Sequence, residues 1–335
     1  MLSQTIATCQ SETWQSALAN AFTKLDTLLD SLGLDRHDIE DLDPSPDGFR
    51  LLVPRGFAGL MRHGDPMDPL LRQVLPLRIE RNRVEGFVAD PVGDGSADRG
   101  NGLLQKYRGR ALLMATGACA IHCRYCFRRH FPYASLPARG TGHQAAIAQI
   151  AEDASLSEVI LSGGDPLMLD DGPLRRLLSP LDTIPHLRRL RIHTRLPIVL
   201  PERITEELCR MLTGLGLQTI MVIHANHPHE LGPQAERALR RLTRAGVTLL
   251  NQSVLLKDIN DDPEVLERLS ERLFENGVLP YYVHQLDRVE GAAHFSVTDE
   301  EAKRLMDCLR QRLPGYLVPR LVREIPGEGS KTPID

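Results

Sequence analysis

Two rhythms of apolar and polar positions run along this chain. Beyond about residue 108, short apolar or β-branched runs recur at ALLMAT (111–116), EVILS (158–162), RLRIHT (189–194), TIMVIHA (219–225), TLLNQSVLL (248–256) and YYVHQL (281–286). Between them, over 143–154, 171–181, 203–213, 229–245 and 263–276, apolar residues fall at helical spacing, and a last such stretch covers 298–313. Strands alternating with helices predict right-handed βαβ units and a parallel sheet. Six units predict an α/β fold, an incomplete parallel (βα)6 barrel rather than a closed eight-fold one, with ligands at the C-terminal ends of the strands. Chemically capable residues gather at those ends: Cys119, Ser162–Asp165, His193 and Arg195, His224, Asn251–Ser253 and Asp287.

The first hundred residues read differently. Residues 12–32 carry one amphipathic helical pattern, and the remainder is rich in Pro, Gly and Asp, with PRGFAGLM and MDPLLRQVLP reading as short helices between turns. The expected organisation is a mainly helical accessory region over 1–100, the barrel over 101–315 and a short C-terminal segment over 316–335.

Composition narrows the classes. The chain has 335 residues, 42% hydrophobic and 25% charged, with net charge −4. That supports a sizeable core and argues against nucleic acid bound through a basic surface. No apolar run reaches the ~18 residues of a membrane span. The N-terminus, MLSQTIATCQSETWQ, lacks the basic start and apolar core of a signal peptide, so a cytoplasmic location is expected. Six cysteines are too few for a disulfide scaffold, and three of them fall within eight residues. That crowding asks for a metal.

CAIHCRYC places Cys119, Cys123 and Cys126 at C-x3-C-x2-C spacing just after a predicted strand. Thiolates are the ligands iron–sulfur clusters need, and three on a four-iron cluster leave one iron open for a small molecule. The competing reading is a zinc site with His122 as fourth ligand. Cys9, Cys209 and Cys308 are scattered, and buried structural thiols are expected for the last two. ILSGGDPL (160–167) follows the next strand, and its glycines allow close backbone approach. Near the end, Lys331 follows the turn PGEGS. A lysine amine can form a Schiff base, though a lone lysine in a polar tail is usually a solvated surface residue.

The cysteine motif, with aromatic Tyr125 before its last cysteine, resembles that of the radical S-adenosylmethionine superfamily. C-x3-C-R-Y-C-F-R-R, SGGDPL, HANHPHE, NQSVLL, the Asp287 segment and PGEGSK occur in the order seen in lysine 2,3-aminomutases, over about residue 65 to the end. The layout is most similar to the short bacterial branch of that family, the elongation factor P (R)-β-lysylation proteins. The resemblance implies a radical S-adenosylmethionine barrel and three cofactors: a [4Fe-4S] cluster on Cys119, Cys123 and Cys126, S-adenosyl-L-methionine at Ser162, Gly163, Gly164 and Asp165, and pyridoxal 5′-phosphate bound covalently by the catalytic Lys331. It implies Arg110 near the cofactor phosphate, with Lys106 a weaker candidate, and Gln252 and His224 lining the site. Arg128 would pair with the substrate carboxylate, and Asp287 with Glu324 would hold the ε-ammonium of lysine. The turn before Lys331 departs from the family's glycine-only form, and Glu324 stands where longer relatives carry Asp.

The activity so implied is an isomerase reaction, L-lysine to (R)-β-lysine. The implied partners are L-lysine, a reductant protein, and through the product an elongation factor P lysyl ligase and elongation factor P, with no direct nucleic acid, no membrane and a homodimer left open. The alternatives are an aminomutase supplying free β-amino acids for another purpose, and a non-catalytic iron–sulfur protein.

Overall fold

The computed structural model describes residues 13–44, 49–135 and 142–334, so Cys9 lies outside the described residues. One nine-stranded sheet organises the molecule, in the sequential order β1 (Leu103–Tyr107), β2 (Arg110–Thr116), β3 (Glu158–Gly163), β4 (Arg189–Thr194), β5 (Gln218–Ile223), β6 (Thr248–Val254), β7 (Val278–His284), β8 (Arg320–Arg323) and β9 (Thr332–Pro333). Strands β2 to β8 pair in parallel. β1 and β9 pair antiparallel at the two edges, so the order is linear and the barrel incomplete, as expected. The six strands read from sequence are β2 to β7. The edge strand β1 lies at the start of the barrel segment, and the seventh parallel strand β8 and the edge strand β9 lie in the C-terminal segment; none of the three was read as a strand.

Side-chain alternation explains both faces of the sheet. In β4, Leu190 and Ile192 are buried in the outer layer, while Arg191 and His193 turn into a central cavity. β7 aims Tyr282 and His284 into the same space. The strands therefore read as apolar runs interrupted by polar residues, and those interruptions line the site.

The helices in chain order are α1 (Trp14–Ala19), α2 (Leu25–Ser31), α3 (Arg55–Ala58), α4 (Gly142–Glu152), α5 (Asp171–Asp182), α6 (Leu196–Val199), α7 (Glu206–Thr213), α8 (Pro233–Arg244), α9 (Pro263–Glu275) and α10 (Asp299–Arg312). α5 buries Leu174, Leu177, Leu178 and Leu181, the i, i+3, i+4, i+7 stripe that covers a sheet face. Each such leucine contributes about 1.5–3 kcal/mol. α10 starts at a capping box of Thr298 and Glu301, which satisfies two end groups of the helix.

The amino-terminal region corrects two expectations. From residue 13 to 32 the chain is not one helix: α1 and α2 are separated where Phe22 exchanges backbone hydrogen bonds with Val53 at 2.8 and 3.0 Å. A tertiary pairing overrides the helical pattern there. MDPLLRQVLP forms turns, with the Asp68 carboxylate accepting from the N–H groups of Leu70 and Leu71, although Leu70, Leu71, Val74 and Leu75 are all deeply buried. A single hydrophobic core runs from Trp14 through Leu70 and Leu190 to Val278, joining this region to the barrel.

Candidate active site

A cavity of about 750 Å³ opens inside the sheet. Cys119, Cys123, Cys126, Ser162, Gly163, Gly164, Asp165, Arg110, Arg128, His224, Gln252, Asp287, Glu324 and Lys331 all line it, so residues spread over 221 positions of chain meet in one space (331 − 110).

The cysteine loop follows β2 directly. Its last turn closes with the N–H of Cys126 on the carbonyl of Cys123 at 3.1 Å. All three thiols are free and close enough to influence one another: burial, then the charges of its neighbours, pushes Cys119 well up, and burial, then Cys123, pushes Cys126 up to about 11. His122 also borders the cavity, with Nδ1 2.7 Å from the carbonyl of Arg50 and its ring stacked on Phe49. Among the described residues, no three His, Cys, Asp or Glu side chains close on a single metal ion. A four-iron cluster asks instead for one thiolate on each of three irons.

The glycine turn after β3 is locked onto this loop. Gly164 N–H donates to Thr116 O and Asp165 N–H to Ala118 O, both at 2.7 Å. Gly163 has φ +120°, and a Cβ there or on Gly164 would drive into the backbone of Thr116 or Ala118. Only glycine permits this approach. The Asp165 carboxylate is spent inward, accepting from Thr194 Oγ1 and from the N–H groups of Arg195 and Leu167, and burial lifts it to about 6. It ties the turn to β4. The Ser162 hydroxyl accepts from Arg128 at 3.0 Å.

Arg128, 8% exposed, also donates through Nε to Asp94 at 2.7 Å. Asp94 accepts from Lys106 at 2.7 Å, Lys106 lies 3.7 Å from Glu324, and Glu324 accepts from Tyr107 at 2.6 Å and Lys331 at 2.9 Å. Lys106 also donates to the carbonyl of Val92 at 2.8 Å. Arg110 lies over the Tyr107 ring at 4.5 Å. Burial works against ionisation of Glu324, but Lys331 and Tyr107 outweigh it and hold the carboxyl below its ordinary range. Asp287 is different. Among the described residues no cation lies within 4 Å of it, and burial lifts it to about 6 against the pull of Lys331. His193 and His284, kept neutral chiefly by burial, each leave Nε2 without a partner beside Lys331. Burial likewise holds His224 down to about 4.

The sequence model of the Radical SAM superfamily matches residues 113–269. The chain is 47% identical to the L-lysine 2,3-aminomutase of Haemophilus influenzae, over 96% of both chains, and 48% identical to that of Escherichia coli, over 99% of this chain and 97% of the other. The chain belongs to the lysine 2,3-aminomutase family. The Clostridium subterminale member is 34% identical over 96% of this chain and 77% of its own. Among solved structures, Streptococcus suis SuiB bound to S-adenosylmethionine shares the fold, with TM-score 0.50 and 15% identity over 66% of this chain and 51% of that one.

In this aminomutase-family chain several side chains at the site escaped the sequence reading: Asp94 between Arg128 and Lys106, Tyr107 on Glu324, His284 on the cavity wall, and Gln73 with Glu230 behind the cysteine loop. Cys209 is buried on α7 as expected, but Cys308 is exposed, because it lies off the Ala302, Leu305, Met306, Leu309 stripe of α10.

Glu80 was also missed. It accepts from Arg124 Nη2 at 2.5 Å and Arg129 Nη2 at 2.8 Å, all three side chains under 8% exposed, and so clamps the amino-terminal region onto the cysteine loop. Glu80→Ala leaves two buried guanidinium groups short of a partner, a loss of about 3–5 kcal/mol. Denaturant melts of the cluster-free protein check this, and a change under ~1 kcal/mol would show that the clamp is dispensable.

Proposed function

We propose that this chain is an L-lysine 2,3-aminomutase forming (R)-β-lysine, and that the product serves to modify a lysine of elongation factor P through a separate ligase. The observation that carries the substrate reading is the Asp287 carboxylate, which lines the cavity with no cation against it among the described residues, beside Glu324 whose cation is Lys331. Two acids around a cavity that also holds a reactive lysine suit a ligand with a distal ammonium. The identity of 47–48% to two relatives bearing that activity supports the reaction, and the lower 34% to the clostridial member supports the short bacterial branch.

The residues fit the three cofactors the family implies. Three free thiols share one loop, the glycine turn brings backbone close to them, and two neutral histidines present unpaired nitrogens beside Lys331. When bound, the cluster with S-adenosylmethionine supplies a carbon radical able to take a hydrogen, and pyridoxal phosphate supplies an electron sink. In this reading Cys119, Cys123 and Cys126 hold the cluster, Gly163 and Gly164 admit the methionine end, and Ser162 and Asp165 shape that turn. Arg128 receives the substrate carboxylate on its planar fork, oriented by Asp94. Asp287 and Glu324 fix the other end, so chain length selects the carbon presented for reaction. Arg110, Gln252 and His224 line the remainder.

Anaerobic reconstitution with iron and sulfide, followed by product analysis with lysine, pyridoxal phosphate, S-adenosylmethionine and a reductant, tests the activity; no β-lysine would sink it. The mass of elongation factor P in cells lacking this protein tests the pathway, and an unchanged mass would remove it.

The pH dependence of Asp287 is a sharper test. An acid lifted to about 6 is protonated below that pH and cannot receive an ammonium. The kcat/KM for lysine should therefore fall about tenfold per unit below pH ~6, since this ratio reports the free enzyme. Asp287→Asn should flatten that limb and cost about a hundredfold or more. Stability should move the other way. A carboxyl raised on folding favours the folded state at low pH and loses that contribution as pH rises through about 6. The Asn variant should thus be more stable than the parent near pH 7–8, by up to about 3 kcal/mol, with the advantage gone below pH ~4. Lysine activity equal to the parent's would remove Asp287 from the substrate site.

A further inference from the structure

Arg195 follows β4 immediately, at the entry to α6, and the mechanism above gives it no task. Its backbone is pinned by a 2.7 Å hydrogen bond from its N–H to Asp165. Its guanidinium, 7% exposed, reaches in two directions. One amino group donates to the sulfur of Cys123 at 2.6 Å, and the other donates to Gln73 Oε1 at 2.7 Å and Glu230 Oε2 at 2.9 Å.

Glu230 is fully buried and held in turn by Gln73 Nε2 and by the N–H groups of Asn226 and His227. Gln73 comes from the amino-terminal region and also meets Tyr125 and Asn226. Three parts of the chain therefore fix one guanidinium. A buried guanidinium needs partners for its N–H groups beyond its carboxylate, and what distinguishes this one is which partner it takes. This one spends a whole amino group on a cysteine of the cluster motif.

We propose that Arg195 is a positioning residue that sets the reduction potential of the cluster through its hydrogen bond to the Cys123 sulfur; the proposal rests on the reading of Cys119, Cys123 and Cys126 as cluster ligands. Reduction adds a negative charge to the cluster. A fixed cation at a ligand sulfur, in a dry site, stabilises the reduced form more than the oxidised form and raises the potential. Glu230 opposes that effect and, with Gln73, aims the fork. Partners of this kind around metal ligands orient them and tune the metal.

The test is an anaerobic redox titration without S-adenosylmethionine, followed by electron paramagnetic resonance of the reduced cluster. Wild type, Arg195→Gln, Arg195→Lys and Glu230→Gln are compared at measured iron and sulfide content. Arg195→Gln should shift the midpoint to more negative values and Arg195→Lys should shift it less, because it keeps the charge but loses the fork. Glu230→Gln should shift it the other way. An unchanged midpoint in Arg195→Gln at full iron content overturns the proposal, even if S-adenosylmethionine binds more weakly. Loss of the cluster from both Arg195 variants overturns it too, leaving a purely structural arginine. Failure of the wild-type protein to take up about four irons would instead refute the cluster reading beneath it.

Discussion

Replacing any one of Cys119, Cys123 or Cys126 by alanine is expected to abolish the cluster and with it all turnover. The three thiols sit on one short loop between β2 and the glycine turn, and among the described residues no other cysteine reaches that cavity. A cluster bound by three thiolates has no spare protein ligand, so the loss of one is not compensated. Iron content after reconstitution should fall from about four per chain toward zero, together with the charge-transfer absorbance. Cys209→Ala and Cys308→Ala supply the contrast. Cys209 packs in the core on α7 and Cys308 faces solvent on α10. Both variants should retain iron and activity, at a packing cost of about 1 kcal/mol for the buried one. An iron-replete, active Cys123→Ala would overturn the assignment, as would loss of iron from Cys209→Ala.

The strands that carry the site were legible because each is an apolar or β-branched run of at least six residues, alternating in β4 and β6 and buried throughout in β3. β4, RLRIHT, was read with its observed bounds. The edge strands were not legible. β9 has two residues and its neighbour β8 four, too few for a period to show; β8 exists because β7 offers a partner, and β9 because β8 does. Asp94 was missed for another reason. It lies among Asp90 and Asp98 in a turn-rich stretch, and what singles it out is Arg128, 34 residues away. Gln73 meets Arg195 across 122 residues. Local sequence carries the chemistry of a cysteine or a glycine turn, whereas the value of a lone acid or amide depends on what the fold brings to it.

Lys331→Ala is expected to lose pyridoxal phosphate completely and keep the cluster, because the amine and the thiols occupy different walls of one cavity. Wild-type protein should show an imine absorbance that borohydride fixes to Lys331, and the variant should show none. Without the cofactor, Lys331 is the cation of Glu324 at 2.9 Å, so alanine also removes a partner from a carboxylate only 10% exposed. Tyr107 still donates to that carboxylate at 2.6 Å and Lys106 remains 3.7 Å away, which limits the destabilisation to about 2 kcal/mol. Lys331→Arg separates the two effects. A guanidinium can satisfy Glu324 but does not form the imine, so this variant should be as cofactor-free as alanine while melting close to the parent. The ion pair also bears on the substrate. The Lys331 ammonium occupies Glu324 in this structure, and on the proposed reading that seat would be open to an ammonium of similar reach once Lys331 holds the cofactor. Lysine should therefore bind pyridoxal-loaded protein more tightly than unloaded wild type, and calorimetry under anaerobic conditions can compare them. Borohydride labelling at a lysine other than 331, or an imine band surviving in Lys331→Ala, would refute the assignment.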